Sequence, residues 1–512
     1  MTTSPSYFGK REDRFRELCQ RMLAERRPVF ASNRGPISLV ENPDGSLAPQ
    51  RGSGGLVTAL ASIGRFTPLT WVSSAMTEAD RQQAADGRLL RAPLVGQEVY
   101  LRFVAVPRAV YQRYYYAFCN PLLWFLQHYM WNTPRVPNIG RSTYEAWEDG
   151  YVPVNQAFAQ ALAEEAERDI RAPFIFIHDY HLYLVPGELR RLVPDAPILH
   201  FTHIPWPGPR YWGILPAFMR HEIHDKLSAA NIVGFQTMRD VRNFLQCCES
   251  FLEGASVDYR ACTVSRDGWL TQVTNYPISM DAAGLVRLAG SAEVERYEQA
   301  LRPLTRDVTI VRVDRAEPSK NIIRGFRAYE SLLDRYPELQ GQVAFLAFLV
   351  PSRTELPIYQ NYTDELFEVV TAINDEYGTD DWLPIRVFYE ENYVQAVAAM
   401  RLYDILLVNP IIDGMNLVAK EGPLVNTRDG VLVLSEMAGA HEQLGHYALS
   451  VSPTDLEGTV RALHAAISMH PDERRRRAAA LRRAVQEEDV TFWMERQFRD
   501  LMAITRLRRL RP

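Results

Sequence analysis

Short apolar runs alternate with longer stretches of helical periodicity through nearly the whole chain. Runs at residues 29–32, 174–177, 198–202, 232–235, 308–313, 343–350, 405–408 and 431–434 read as parallel strands covered by helices on both faces. These are too many for one ordinary sheet, so the pattern predicts an α/β chain with two doubly wound domains. No long Gly, Ser or Pro linker marks the division. A break after the strand pattern in TQVTNYPISM gives an N-terminal domain over 1–279, a second domain over 280–480 and a helical segment over 481–512 that returns to the first. Near the start, Phe15, Leu18, Cys19, Met22 and Leu23 form one helical stripe, predicted to pack on the first domain. Toward the end, ERRRR and RLRRLRP are interleaved with Glu487, Glu488, Asp489 and Glu495, while Phe492, Trp493 and Phe498 recur at helical spacing. Amphipathic helices with solvated faces explain those arginines better than a nucleic-acid arm does.

Composition narrows the class. The 512 residues carry 57 Lys and Arg against 62 Asp and Glu, a formal net charge of −5, which argues against nucleic acid as a partner. Hydrophobic residues at 47% and charged residues at 23% exclude a disordered or collagen-like chain. Cys19, Cys119, Cys247, Cys248 and Cys262 are odd in number and form no CxxC pair, so neither a disulfide framework nor a zinc site is expected. The N-terminal stretch lacks the apolar core of a signal peptide. The strongest apolar run, 343–350, falls far short of the roughly 20 residues that cross a bilayer. A cytoplasmic protein with no membrane partner is expected.

Polar residues follow six of these runs: Asn33 and Arg34, then His178 and Asp179, His203, Arg315 and Lys320, Ser352 and Arg353, and Asp413. Ligands of open α/β sheets bind beyond the carboxyl ends of the strands, so these residues are expected to line a ligand cleft between two facing sheets. RGSGGLVTAL sets Gly52, Gly54 and Gly55 before a helical pattern. IIDGMNLVAKEG sets Asp413 and Gly414 before another, with Glu421 about two turns on. Both leave backbone N–H groups for an anion. Arg315 and Lys320 add two fixed cations that suit a pyrophosphate, although a surface ion-pair cluster explains them equally well from these residues alone. HDYH, HFTH and HEIH each space two histidines three apart. Two of these lie at strand ends, and none has the four-residue spacing of a zinc protease, so no metal is expected. No Asp-x-Asp pair occurs, and no cofactor is expected.

SNRGP, GSGGL, YYYAFCNPLLWFLQHY, IHDYHLYLVPGELR, HFTHIPWPGPRYWGILP, NIVGFQT, VDRAEPSKN, VPSR and DGMNLVAKE occur in family order from residue 32 to about 500. In these stretches the chain resembles the trehalose-6-phosphate synthases, retaining glycosyltransferases with two Rossmann-like domains in the GT-B arrangement. The resemblance implies that Arg34, Tyr115, Trp124 and Arg353 hold the acceptor glucose 6-phosphate, chiefly through its phosphate. It implies that Arg315 and Lys320 clamp the pyrophosphate of a nucleotide-sugar donor. Asp413, Gly414, Met415, Asn416 and Leu417 match contacts to the donor's glucose and phosphate, Glu421 matches the ribose ligand, and Gly55 matches a glycine that lets its loop approach the donor. Asp179 and His203 match the lining of the reaction centre, with His203 bonding the transferred sugar. The implied reaction moves glucose from UDP-glucose, the family default, to glucose 6-phosphate and yields trehalose 6-phosphate. The leaving phosphate accepts the acceptor's proton, and the enzyme supplies positioning and charge stabilisation. Oligomeric state is open, a homo-oligomer included.

The chain also departs from that pattern. Where the family reads Arg-Leu-Asp-Tyr-x-Lys-Gly, it has Arg315-Ala316-Glu317-Pro318-Ser319-Lys320-Asn321. Tyr116 replaces an Asn, and Val-Ser-Ser follows Trp71 in place of a Gly-rich turn. WVSSAMTEADR, DRAEPSKN and EGPLVNTRDG are similar to validoxylamine-phosphate synthase, which couples a nucleotide-linked cyclitol to an amino-cyclitol phosphate through a C–N bond. Retention of Arg34, Tyr115 and Trp124 favours sugar transfer. GDP-glucose or ADP-glucose as donor and glucosylglycerol-phosphate synthesis are alternatives. A non-catalytic sugar-phosphate-binding regulatory subunit is another, and retention of Asp413, Glu421 and His203 argues against it.

Overall fold

The computed structural model describes residues 5–509 apart from 43, 45, 52–59, 61, 62, 86, 93–97 and 169. The chain forms two compact units, Met1–Ile278 with Thr491–Pro512, and Ser279–Val490.

The first unit is built on a ten-stranded sheet among the described residues. Its parallel centre runs, in spatial order, Val99–Val104, Leu69–Ser74, Pro28–Ser32, Phe174–His178, Ile198–Phe201, Ile232–Phe235 and Trp269–Asn275. Antiparallel strands flank it: Leu90–Arg91 on one edge, Thr263–Arg266 and then Ser256–Asp258 on the other. Every residue of Pro28–Ser32, Leu69–Ser74 and Phe174–His178 is buried, as expected of strands covered on both faces. The N-terminal helix, Pro5–Glu25, buries Phe15, Leu18, Cys19 and Met22, while Leu23 is half-buried. Phe15 meets Phe66 edge-on at 5.1 Å and stacks on Phe498 at 5.9 Å, and Phe498 lies 5.2 Å from Phe176 of the sheet. The C-terminal helix, Val490–Arg509, is pinned further by Trp493 Nε1 donating to Tyr276 O (3.1 Å) and by Tyr276 Oη donating to Asp500 (2.8 Å).

The second unit has six parallel strands among the described residues. Their order is Ile385–Tyr389, Val343–Val350, Val308–Arg315, Ile405–Val408, Val431–Ser435 and Leu449–Val451. In sequence terms this is 3-2-1-4-5-6, the dinucleotide-fold order, with the winding direction reversing between Val308–Arg315 and Ile405–Val408. Helix Ile322–Arg335 buries Ile322, Phe326, Tyr329, Leu332 and Leu333 on one side of this sheet.

The segment expected to begin at 481 has a different start. Residue 481 lies inside a continuous helix, Pro471–Glu487, which buries Ala478, Leu481 and Val485 and packs on helix Val418–Val425 of the second unit. The return to the first unit comes at Thr491. One amphipathic stripe continues through 481, so the sequence carries no local signal of where the chain changes units. No helix among the described residues is long and apolar enough to cross a membrane.

Candidate active site

In the first unit the winding reverses between Pro28–Ser32 and Phe174–His178. The residues that follow both strands carry the candidate chemistry, as the crevice rule requires. Asn33 is buried and bonded at both ends of its amide: its Nδ2 donates to Tyr111 Oη (3.2 Å), and its Oδ1 accepts from Ser74 Oγ (3.0 Å) and Tyr114 Oη (3.3 Å). This network fixes the turn that presents Arg34 to solvent. Arg34 Nη2 donates to Tyr115 Oη at 3.2 Å, with the guanidinium carbon 5.8 Å from the ring centre. The Tyr115 ring is aligned by Tyr111 (5.6 Å, 13°) and His181 (5.8 Å, 10°). Tyr115 and Trp124 belong to a π-helical stretch, Arg113–Trp124, a backbone form frequent at functional sites. Trp124 is buried, stacked on His128 with ring centres 4.0 Å apart and edge-on to Phe125. Arg34 and Tyr115 are thus brought together.

Asp179 closes strand Phe174–His178 with φ 77° and ψ 169°, a conformation that residues with side chains avoid at about 1–3 kcal/mol. Its N–H donates to Phe201 O (2.7 Å), its carbonyl accepts from Leu182 N–H (3.1 Å), and Oδ1 accepts from His203 N–H (3.2 Å). Strain held this firmly is a mark of reaction centres. His203 Nε2 lies 3.2 Å from His178 Nδ1, and its ring packs edge-on to Phe201 at 4.6 Å. Burial, helped by His200, pushes His203 down to about 3, and burial with His203 and His200 pushes His178 well down. Both rings are neutral at neutral pH, so His203 is equipped to hydrogen-bond a hydroxyl and not to act as a proton donor.

In the second unit, strand Val308–Arg315 ends on Arg315, whose side chain is 51% exposed. Beyond it, Glu317 is 1% exposed and gathers the loop. Its carboxylate accepts from Arg315 Nη2 (3.0 Å), Ser319 Oγ (3.1 Å) and Ser352 Oγ (3.5 Å), and pairs with Arg353 Nη1 at 3.9 Å. Arg353 also donates to Tyr359 Oη and holds a positive φ of 45°. Lys320 is buried and bonded to Asp413. Burial opposes its charge, but Asp413, Glu317 and Asp314 outweigh that and raise the ammonium's pKa. Arg312, fully buried, ties the base of the loop together through Asp314 (2.9 Å), Asn409 (2.7 Å) and the Lys320 carbonyl. Asn321 stands at φ 59°, ψ 37°, the left-handed region that glycine favours and asparagine tolerates. The change from the family's Gly at this position is therefore conformationally conservative.

Asp413 pairs in parallel with Ala438, beyond strand Val431–Ser435, in a tight crossing. Its carbonyl accepts from Gly439 N–H (3.0 Å), and a Cβ on Gly439 would fall 1.8 Å from the Gly414 carbonyl oxygen. Asp413 Oδ2 also accepts from Asn416 Nδ2 (3.2 Å). Asn416 Oδ1 in turn accepts from Ala419 N–H (3.2 Å) at the start of helix Val418–Val425. Met415 is buried, its carbonyl accepting from Ala440 N–H (2.8 Å), and Leu417 O accepts from Glu421 N–H (2.8 Å). Glu421 accepts from Tyr393 Oη (3.1 Å), and burial pushes its carboxyl up to about 7. Gly52, Gly54 and Gly55 lie outside the described residues.

Arg315, Lys320, Arg353, Asp413, Gly414, Met415, Asn416, Leu417 and Glu421 thus belong to the second unit, and Arg34, Tyr115, Trp124, Asp179 and His203 to the first. Sequence reasoning missed Arg312 and Glu317. Arg312 carried a signal, a lone charge inside an apolar strand, whereas Glu317 looked like an ordinary loop acid. Among the described residues no group of three or more His, Cys, Asp or Glu side chains could hold a metal ion.

The model of glycosyltransferase family 20 matches residues 26–503. Trehalose-6-phosphate synthase of Mycobacterium avium (strain 104) is 33% identical over 488 residues, covering 93% of this chain and 95% of its own. Validamine 7-phosphate valienyltransferase of Streptomyces hygroscopicus subsp. jinggangensis is 31% identical over 489 residues, 94% of each chain. Among solved structures, an α,α-trehalose-phosphate synthase (UDP-forming) from Burkholderia xenovorans in complex with glucose-6-phosphate matches with a TM-score of 0.79 at 28% identity, over 93% of this chain and 100% of that one. The E. coli trehalose-6-phosphate structure bound with UDP-2-fluoro glucose matches with a TM-score of 0.78 at 27% identity, over 93% and 98%. The α/β architecture is the GT-B fold of these trehalose-phosphate synthases.

Proposed function

The chain belongs to glycosyltransferase family 20, and we propose that it is a retaining glucosyltransferase that moves glucose from UDP-glucose to glucose 6-phosphate, yielding trehalose 6-phosphate. The observation that carries this reading is the cluster at the sheet reversal of the second unit, where Arg315, Lys320 and Asp413 converge beside the start of helix Val418–Val425. Two cations at one loop suit a nucleoside diphosphate, while at the start of that helix the Ala419 N–H is already taken by Asn416 Oδ1 and the Lys420 N–H by the Leu417 carbonyl. One guanidinium N–H of Arg315 is engaged by Glu317, leaving others for phosphate oxygens.

In this reading Arg315 and Lys320 meet the negative charge that grows on the diphosphate as its bond to the sugar lengthens. A hydroxyl of glucose 6-phosphate attacks the same face of the sugar and passes its proton to the departing phosphate oxygen, which preserves the anomeric configuration. Arg34 with Tyr115, and Arg353, hold the acceptor phosphate. Trp124 shapes the acceptor site, neutral His203 bonds a hydroxyl of the transferred glucose, and Asp179 orders the His203 backbone. Glu421 holds the ribose, and Asp413 with Gly414 to Leu417 holds the donor glucose and phosphate. Gly55 admits the donor.

A second reading is coupling of a nucleotide-linked cyclitol to an amino-cyclitol phosphate. The 31% identity to validamine 7-phosphate valienyltransferase supports it. The discriminating assay offers UDP-, GDP- and ADP-glucose with glucose 6-phosphate, and a nucleotide-linked cyclitol with an amino-cyclitol phosphate. It measures nucleoside diphosphate release and identifies the product by NMR. An α,α-1,1-linked disaccharide phosphate supports the first reading. Turnover with the amino-cyclitol pair alone replaces it, and binding without turnover of any pair leaves a regulatory subunit.

A further inference from the structure

We infer that Glu317 is a positioning residue that orders the donor-side and the acceptor-side arginines of the second unit through one buried carboxylate. The inference rests on the reading above, which gives Arg315 to the donor diphosphate and Arg353 to the acceptor phosphate.

Arg315 ends one strand and Arg353 follows its neighbour, because Val308–Arg315 pairs in parallel with Val343–Val350 up to Arg315 opposite Val350. Two guanidiniums emerging from adjacent strand ends repel each other, and each is long and flexible. Glu317 sits at 1% exposure, with Oε1 on Arg315 (3.0 Å) and Ser319 (3.1 Å) and Oε2 facing Arg353 (3.9 Å) and Ser352 (3.5 Å). One oxygen thus addresses the donor side and the other the acceptor side. The arginines have outer faces that the carboxylate does not cover: Arg315 is half exposed, and Arg353 retains 14%. A carboxylate behind a guanidinium fixes its plane and leaves its outward N–H groups for phosphate, the fork geometry that makes arginine selective for such anions. Glu317 also competes with an arriving phosphate for the same cations. Burial of the carboxylate beside a half-exposed Arg315 makes the ordering effect the larger. The carboxylate needs both oxygens engaged, so aspartate, one methylene shorter, reaches one arginine at the other's expense.

Isothermal titration calorimetry tests this with UDP and glucose 6-phosphate titrated separately into the wild type, Glu317→Gln, Glu317→Asp and the double variant Arg315→Ala/Glu317→Gln. Glu317→Gln is expected to weaken both ligands at least tenfold at unchanged stoichiometry, and Glu317→Asp to weaken one ligand more than the other. In the Arg315→Ala background the glutamine should add less than threefold to the loss of UDP affinity, since its route of action is already gone. A purely structural role would lower the binding stoichiometry and the melting temperature, or add its full effect in the double variant. Unchanged or tighter binding of both ligands by Glu317→Gln, or additivity with Arg315→Ala, overturns the inference. If wild type binds neither UDP nor glucose 6-phosphate, the functional reading fails first and is separately visible. Should the glutamine variant not fold, the asymmetry expected of Glu317→Asp decides alone, and equal affinities to wild type for both ligands overturn the proposal.

Discussion

Arg315→Ala should separate catalysis from stability. The Arg315 side chain is 51% exposed at a strand end although Glu317 is buried, so solvent screens one partner and the pair is set at about 1 kcal/mol, the upper end for exposed pairs. Its removal leaves Glu317 with Ser319, Ser352 and Arg353 as partners, so no buried charge is stranded. For a unit the size of Ser279–Val490, roughly 1 kcal/mol corresponds to a melting shift of about 2–4 °C. Loss of one preorganised charge contact to a leaving group lowers turnover by about 100-fold or more, roughly 2.7 kcal/mol. The assay follows nucleoside diphosphate release at saturating donor, with melting by differential scanning fluorimetry on the same samples. Lys320→Ala is the control: Lys320 and Asp413 are only 11% and 16% exposed, so both partners lie out of solvent and breaking the pair costs about 3–5 kcal/mol, and melting should fall well beyond the Arg315 shift. Near-wild-type turnover of Arg315→Ala at saturating donor refutes the assignment. A melting loss equal to that of Lys320→Ala refutes the structural half of the reasoning.

Two further outcomes follow from the donor loop. Glu421 is pushed up to about 7 from a usual 4.5 by burial, so its stabilising contribution is complete below pH 4.5 and is lost as pH rises through 7. Ribose binding needs the ionised form, so UDP-glucose affinity by calorimetry should increase from pH 6 to pH 8, and a flat profile, or the same slope in Glu421→Gln, rejects that role. Gly439→Ala places a Cβ 1.8 Å from the Gly414 carbonyl, an overpacking of about 1–3 kcal/mol that must displace the loop after Asp413. Donor KM should rise at least tenfold while glucose 6-phosphate binding is retained, and an unaltered donor KM would show that the loop does not touch the donor.

Buried strands were legible where apolar residues fill them, as in VAFLAFLV of Val343–Val350, whereas the equally buried Leu69–Ser74 was not, because Thr70, Ser73 and Ser74 break its run. Val99–Val104 was not, since Tyr100 and Arg102 face partly outward and break the run, and Ile385–Tyr389 is an edge strand with only Ile385 fully buried. Candidate residues were legible where a polar side chain directly follows a strand, as with Arg34, Asp179 and Arg315. The resemblance supplied their roles. Other features depend on contacts distant in sequence. Trp493 lies 6.2 Å from the ring of His203, which no local pattern announces. The strain at Asp179 depends on its N–H donating to the Phe201 carbonyl and its carboxylate accepting from His203 N–H, and aspartate itself carries no sign of it. Glu317 became visible only when burial at 1% and its two arginines were known.

The chain leaves the first unit after Ile278 and rejoins it at Thr491. On a ribosome adding about 5–20 residues per second, the intervening stretch takes on the order of 10–40 s to make. For that interval the earlier lobe waits without Trp493, Met494 and Phe498, all of them buried in the finished protein. Phe15, Phe176 and Phe201, which Phe498 and Trp493 cover, stay open to nascent-chain chaperones or to wrong partners until helix Val490–Arg509 emerges.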